Sequence, residues 1–188
     1  MSDNPKHSSK SAEHFTPIVI VEAARRTLGR IDLDPASTQE ANKIIRAGRI
    51  YTKAENGMKA GWSGRVFLNP PGGLLKAGTK PTRSRQAMWW AKLAVEWTRG
   101  RVEAAIFVGF SIEIFQTSQA VGLCVPTPMD FPFCVPSSRV QFDQIADGER
   151  RAGKNPSHSN VIVYLPSRMD REAKRFKEAF ESIGKVRI

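Results

Sequence analysis

The sequence predicts an α/β fold with a mostly parallel central sheet flanked by helices, and three observations carry that expectation. Val66-Phe67-Leu68 is an apolar run of the kind that fills a buried strand, and it stops abruptly at Asn69-Pro70-Pro71-Gly72-Gly73. Val102 to Phe110 and Val161 to Leu165 are two more such runs. Between the first two lies Gln86 to Thr98, where Trp90, Leu93, Ala94 and Trp97 recur at helical spacing and form one core stripe. Strand, helix and strand in that order is the pattern of parallel βαβ packing.

Taken from its start, the chain opens with residues 1–14, rich in Ser, Lys, His and Asn and nearly free of apolar side chains. They read as a disordered arm without the apolar stretch of a secretory signal, ahead of one folded domain over 15–188. Thr16 and Pro17 read as the cap and first residue of a helix from Ile18 to Leu28, closed by Gly29. Ile31 and Leu33 make a short strand that Asp34-Pro35 ends, and Ser37 or Thr38 caps a helix from Gln39 to Ala47. A strand-like edge and a polar turn, Lys53 to Gly57, lead to Trp62 and the central strand.

Leu74 to Arg85 reads as a mobile cationic loop, with Lys76, Lys80, Arg83 and Arg85 set among Gly, Pro, Thr and Ser. Ser111 leads into a short helix reaching Ala120, Gly122 to Val125 reads as a strand, and Pro126 to Pro132 as a proline-stiffened loop that can form a lip with Phe133 to Val135. Asp143 to Asn155 is a charged turn. Asp170 to Ile183 closes the chain as an amphipathic helix, buried through Ala173, Phe176, Ala179, Phe180 and Ile183.

Two places carry chemistry. Pro70 and Pro71 have no N–H and fixed φ, so the Asn69 side-chain oxygen and a neighbouring prolyl carbonyl can act as a rigid pair of acceptors. Such a pair suits a planar amino group, because accepting both hydrogens draws the nitrogen towards a tetrahedral shape with an available lone pair. A tight turn after a core strand explains the same residues equally well. Asp32 and Asp34 stand at the end of the first strand, where doubly wound folds hold a ligand; as cap and turn residues they need no ligand.

The succession Phe15-Thr16-Pro17, Asp32-Leu33-Asp34-Pro35-Ala36-Ser37, Tyr51-Thr52, Asn56-Gly57-Met58, Trp62 and Asn69-Pro70-Pro71 resembles the phage-type DNA N6-adenine methyltransferase family over about Phe15 to Leu165. The resemblance implies a single-domain, Rossmann-like fold that uses S-adenosylmethionine. It implies that Asn69, Pro70 and Pro71 are the catalytic motif and that Phe15, Thr16, Pro17, Asp32, Asp34 and Ala36 line the cofactor pocket. It also implies double-stranded DNA as partner, with Lys76, Lys80, Arg83, Arg85 and Arg139 as contacts, the last in an Arg-X-X-Phe segment similar to one in the family. One departure stands out. The family motif ends in a Tyr or Phe that stacks on the flipped-out base, and this chain has Gly72 there. Trp62, Trp89, Trp90 and Phe110 are the rings near enough in the chain to replace it.

A net charge of +11 over 188 residues points to an anionic partner. Phosphate contact is the functional reading of the 74–85 stretch and a solvated loop is the plain one. His158 reads either as a DNA contact or as a structural hydrogen-bonder. Cys124 and Cys134 have no His cluster at metal-ligand spacing and read as reduced thiols of a cytoplasmic protein, in a bacterial cell or phage-infected host. No apolar run approaches the roughly 20 residues of a membrane span. Four functions fit: a DNA adenine-N6 methyltransferase, a methyltransferase for another amino group, a methyltransferase fold that binds DNA without catalysis, and a basic nucleic-acid-binding module.

Overall fold

A computed structural model describes residues 15–77, 80–121, 125–146, 149–153, 158–169 and 173–188. The elements run α1 (Ile18–Leu28), β1 (Leu33–Asp34), α2 (Gln39–Ile45), β2 (Arg49–Ile50), β3 (Gly64–Leu68), β4 (Leu74–Ala77), β5 (Lys80–Ser84), α3 (Arg85–Thr98), β6 (Val102–Gly109) and α4 (Ile114–Thr117). Then come β7 (Phe133–Pro136), β8 (Asp143–Ala146), β9 (Glu149–Ala152), β10 (Val161–Leu165), α5 (Lys174–Phe180) and β11 (Gly184–Arg187).

Seven strands form one mixed sheet in the order β11-β7-β10-β6-β3-β1-β2. Parallel pairing joins β2, β1, β3 and β6, whereas β10, β7 and β11 continue antiparallel. Apart from Glu103, every residue of β6 and β10 is buried, as expected of strands covered on both faces. Alternate residues go to opposite layers. Phe67, Ile106, Val108, Ile162 and Tyr164 meet Ile20 and Leu28 of α1 and Phe176 and Phe180 of α5, while Leu68, Ala105, Phe107, Val161 and Val163 meet Trp90 and Leu93 of α3. The buried Trp62 and Trp90 and the half-buried Trp97 each donate their indole N–H to a carbonyl, Trp62 to Gly57 at 2.8 Å, Trp90 to Pro126 at 2.9 Å and Trp97 to Pro166 at 2.9 Å.

Several expectations are corrected. In the expected loop from Leu74 to Arg85, Leu74–Ala77 and Lys80–Ser84 pair antiparallel as β4 and β5, outside the main sheet, and Arg85 begins α3; within Asp143 to Asn155, β8 and β9 pair likewise. Pro17, with ψ 144°, is the cap of α1, so Thr16 lies outside the helix and Pro17 is not its first residue. The last helix stops at Phe180, and β11 pairs with β7 beyond it. Gly184 permits this, since a Cβ there would lie 2.1 Å from the Val135 carbonyl oxygen. The expected arm 1–14 and most of the expected strand at 122–125 lie outside the described residues. Among the described residues no helix is long and apolar enough to cross a membrane.

Candidate functional site

The chain reverses direction across the sheet at β1. It steps outward to β2, then returns to place β3 on the other side of β1, and in open α/β sheets the crevice over such a reversal is where ligands bind. A cleft of about 630 Å³ opens there, within the range of small-molecule sites. Its walls come from residues at or just past the ends of the four parallel strands: Asp34 to Thr38 on β1, Tyr51 to Lys53 after β2, Asn69 to Gly73 after β3 and Phe110 after β6. Phe15 and Thr16 close one side together with Phe142, whose neighbour Asp143 is tied to Phe15 by a two-way backbone bridge at 2.8 and 2.9 Å. Arg85 and Trp89 of α3 add to the rim.

Asp34 is 2 % exposed. Its carboxylate accepts from the Ala36 backbone N–H at 3.1 Å and from the Ser37 hydroxyl, and no ion pair reaches it among the described residues. Burial outweighs those two bonds and pushes its pKa from 3.8 up to about 6. Burial makes its charged form costly, and a ligand donating hydrogen bonds to it recovers part of the lost solvation.

Asp32 takes no part in the cleft. Its strand is only two residues long, so Asp32 falls before β1, at the opposite edge of the sheet. There it accepts from the Arg65 backbone N–H at 2.8 Å and from Arg30 at 2.7 Å. Burial raises its pKa, but those hydrogen bonds outweigh the effect and hold it below the usual carboxylate value. Asp32, expected in a cofactor pocket, is not among the residues that line the cleft, and neither is Pro17.

The acceptor motif follows β3 directly. Asn69 is half-buried, Pro70 buried and Pro71 exposed, and all three line the cleft with Phe15, Thr16, Asp34, Ala36 and Arg85. The Gly73 carbonyl accepts from the Arg85 N–H at 3.0 Å, which closes the stem of the β4–β5 hairpin onto the motif. Lys76, Lys80 and Arg83 fall on that hairpin, with side chains outside the described part. Arg139 is exposed, follows β7 and is not in the lining.

Of the candidate rings, Trp62 and Trp90 are each 1 % exposed and belong to the core. Trp89 lines the cleft, stacked on Trp62 at 5.9 Å between centroids. Phe110 lines it beside Gly72. His158 packs its ring on Phe110 at 4.5 Å.

Three further placements complete the site, and of these only Gln86 and Asn160 had no signal in the sequence. Phe142 reaches the cleft through the Phe15 to Asp143 bridge. Gln86 and Asn160, two buried amides far apart in the chain, fix the backbone at 109–111. Gly57 lets its turn press onto the β1 loop, since a Cβ there would lie 1.9 Å from the Pro35 carbonyl oxygen. Compared with family models, curated proteins and solved structures, the chain finds no match.

Proposed function

We propose that the chain is a Rossmann-like, S-adenosylmethionine-dependent methyltransferase that acts on the N6 amino group of adenine in double-stranded DNA. The observation that carries this reading is the placement of Asn69-Pro70-Pro71 at the carboxyl end of β3, in one cleft with the buried carboxylate of Asp34 at the end of β1. Amine acceptors and a grip for a polar cofactor thus share a wall at the sheet's reversal.

The residues fit such a cofactor. Asp34 and Thr16, with the apolar Ala36, Ala41 and Ile45, offer an anionic acceptor and a hydroxyl above an apolar floor. When bound, the cofactor supplies a methyl group on a sulfonium, a strong electrophile. The chain's own task is to present the amine. Asn69 Oδ1 and the Pro70 carbonyl accept its two hydrogens, and no N–H on Pro70 or Pro71 competes for those acceptor oxygens. Double bonding to the ring weakens as the nitrogen turns tetrahedral, which frees its lone pair. Adenine must leave the stack to enter a cleft of this size. Arg85 on the rim and Lys76, Lys80 and Arg83 of the β4–β5 hairpin supply charge for the flanking phosphates, in keeping with a net charge of +11.

The test is incubation of the protein with unmethylated double-stranded DNA and S-adenosylmethionine, with mass spectrometry of the released nucleosides. N6-methyladenine is expected from the wild type and a loss of roughly 100-fold or more from Asn69→Ala, the scale for removing one preorganised polar group at a reacting centre. Measurable cofactor binding without any methylated nucleoside rejects the catalytic part of the reading. No cofactor binding rejects it altogether.

A further inference from the structure

We infer that Phe110 is the ring on which the target base stacks, in place of the aromatic side chain that Gly72 lacks, and that Gln86 and Asn160 are the positioning residues that hold it. This deepens the amino-methyltransferase reading and rests on it.

Gly72 and Phe110 share one space. A Cβ built on Gly72 would lie 3.4, 3.5 and 3.6 Å from Cδ1, Cγ and Cε1 of the Phe110 ring, in ordinary van der Waals contact, so the Phe110 ring borders the room that a side chain at 72 would first enter. Gly72 does not adopt the left-handed conformation, unlike Gly73 beside it with φ +86°. The backbone therefore does not require glycine at 72; what the glycine supplies is room. Phe110 borders that room from the next strand over, at the end of β6, while remaining half-buried on the cleft wall.

The backbone that presents Phe110 is fixed from both sides. Asn160, 3 % exposed, donates through Nδ2 to the carbonyls of Phe110 at 2.8 Å and Gly109 at 3.3 Å, and accepts from the Val140 N–H at 3.0 Å. Gln86, 5 % exposed, donates to the Ser111 carbonyl and accepts from the Ser111 N–H, each at 3.2 Å. Two buried amides with both ends used lock residues 109–111, and the exposed His158 ring packs against Phe110 at 4.5 Å between centroids. Trp89, the other ring on the wall, is committed elsewhere. It stacks on Trp62, which carries Lys92 at 5.1 Å, and its edge lies 3.3 Å from where a Cβ on Gly57 would sit.

The experiment uses full-length protein and an oligodeoxynucleotide in which 2-aminopurine replaces one adenine, titrated by fluorescence, a readout that needs no turnover. Kinetic constants for methylation of DNA are measured beside it. Phe110→Leu, which keeps most of the volume and removes the ring, is expected to weaken base binding and raise KM for DNA by roughly 10- to 100-fold, the scale of one base-aromatic stack. Cofactor affinity and melting temperature should stay near those of the wild type. Adding Gly72→Phe to Phe110→Ala is expected to restore base binding. Wild-type affinity in Phe110→Leu, or no restoration by Gly72→Phe, overturns the assignment while leaving the methyltransferase reading standing. A wild type that binds no 2-aminopurine oligonucleotide overturns both.

Discussion

Asp32 and Asp34 differ by two positions in the chain and by an entire edge of the sheet. Asp32, before β1, is paired with Arg30 and with the Arg65 backbone, and its pKa is depressed. Asp34, at the end of β1, is buried without a cation among the described residues, and its pKa rises to about 6. One carboxylate is spent holding β1 against β3, and the other is left costly in a cleft. The difference separates structure from function more sharply than residue type does, since a group whose charge the fold does not compensate is a group that a ligand can use.

The sharpest way to test the comparison is to remove each carboxylate and follow stability against pH. Folded Asp34 holds its proton more tightly than the unfolded chain, so the stability carried by its protonated form is complete below about pH 4 and lost as pH rises through about 6. Relative to Asp34→Asn, the wild type should lose up to about 3 kcal/mol between pH 4 and 7 in denaturant titrations. A flat difference would show that Asp34 does not titrate in that window. Gly64→Ala attacks the other edge. Gly64 has φ +76°, and a Cβ there would lie 2.6 Å from Asp32 Oδ2, so a loss of about 2 kcal/mol is expected in the same titration at pH 7.

The smallest effect belongs to Asp32→Asn. Its depressed pKa means that the stabilising interactions of the ionised group are present above about pH 4 and vanish as pH falls through the folded pKa. Asp32→Asn should cost about 1.5 kcal/mol at pH 7 and converge on the wild type in acid, opposite in sign to the Asp34 profile. A parallel response of the two variants would break the distinction between the edges.

The same pair shows what was legible in the sequence. Long apolar runs announced β3, β6 and β10, and the Trp90, Leu93, Ala94 and Trp97 stripe announced α3, because burial leaves a clear pattern. Asn69 and Asp34 were readable since each stands where such a run stops. Asp32 was placed with Asp34 at the strand's end, whereas its backbone pairs with Arg65 and Arg49 at the start of the neighbouring strands. Both hairpins were hidden by polar residues and by Pro81 inside β5, and β11 by having Val186 as its lone apolar residue. Gln86 and Asn160 could not be found from spacing, since their partner at 109–111 is a backbone segment distant from both.

The two hairpins close their ladders on themselves and borrow no partner from the seven-stranded sheet. One is stitched at its stem by Arg85 to Gly73, the other at Asp143 to Phe15. Each is therefore a cassette: its length and tip can be exchanged without moving the register of β3 against β6 or the turn that carries Asn69. A lineage built on this plan is free to rewrite what its fingers touch while the palm stays constant, and a protein engineer could transplant either finger with two anchoring contacts to preserve.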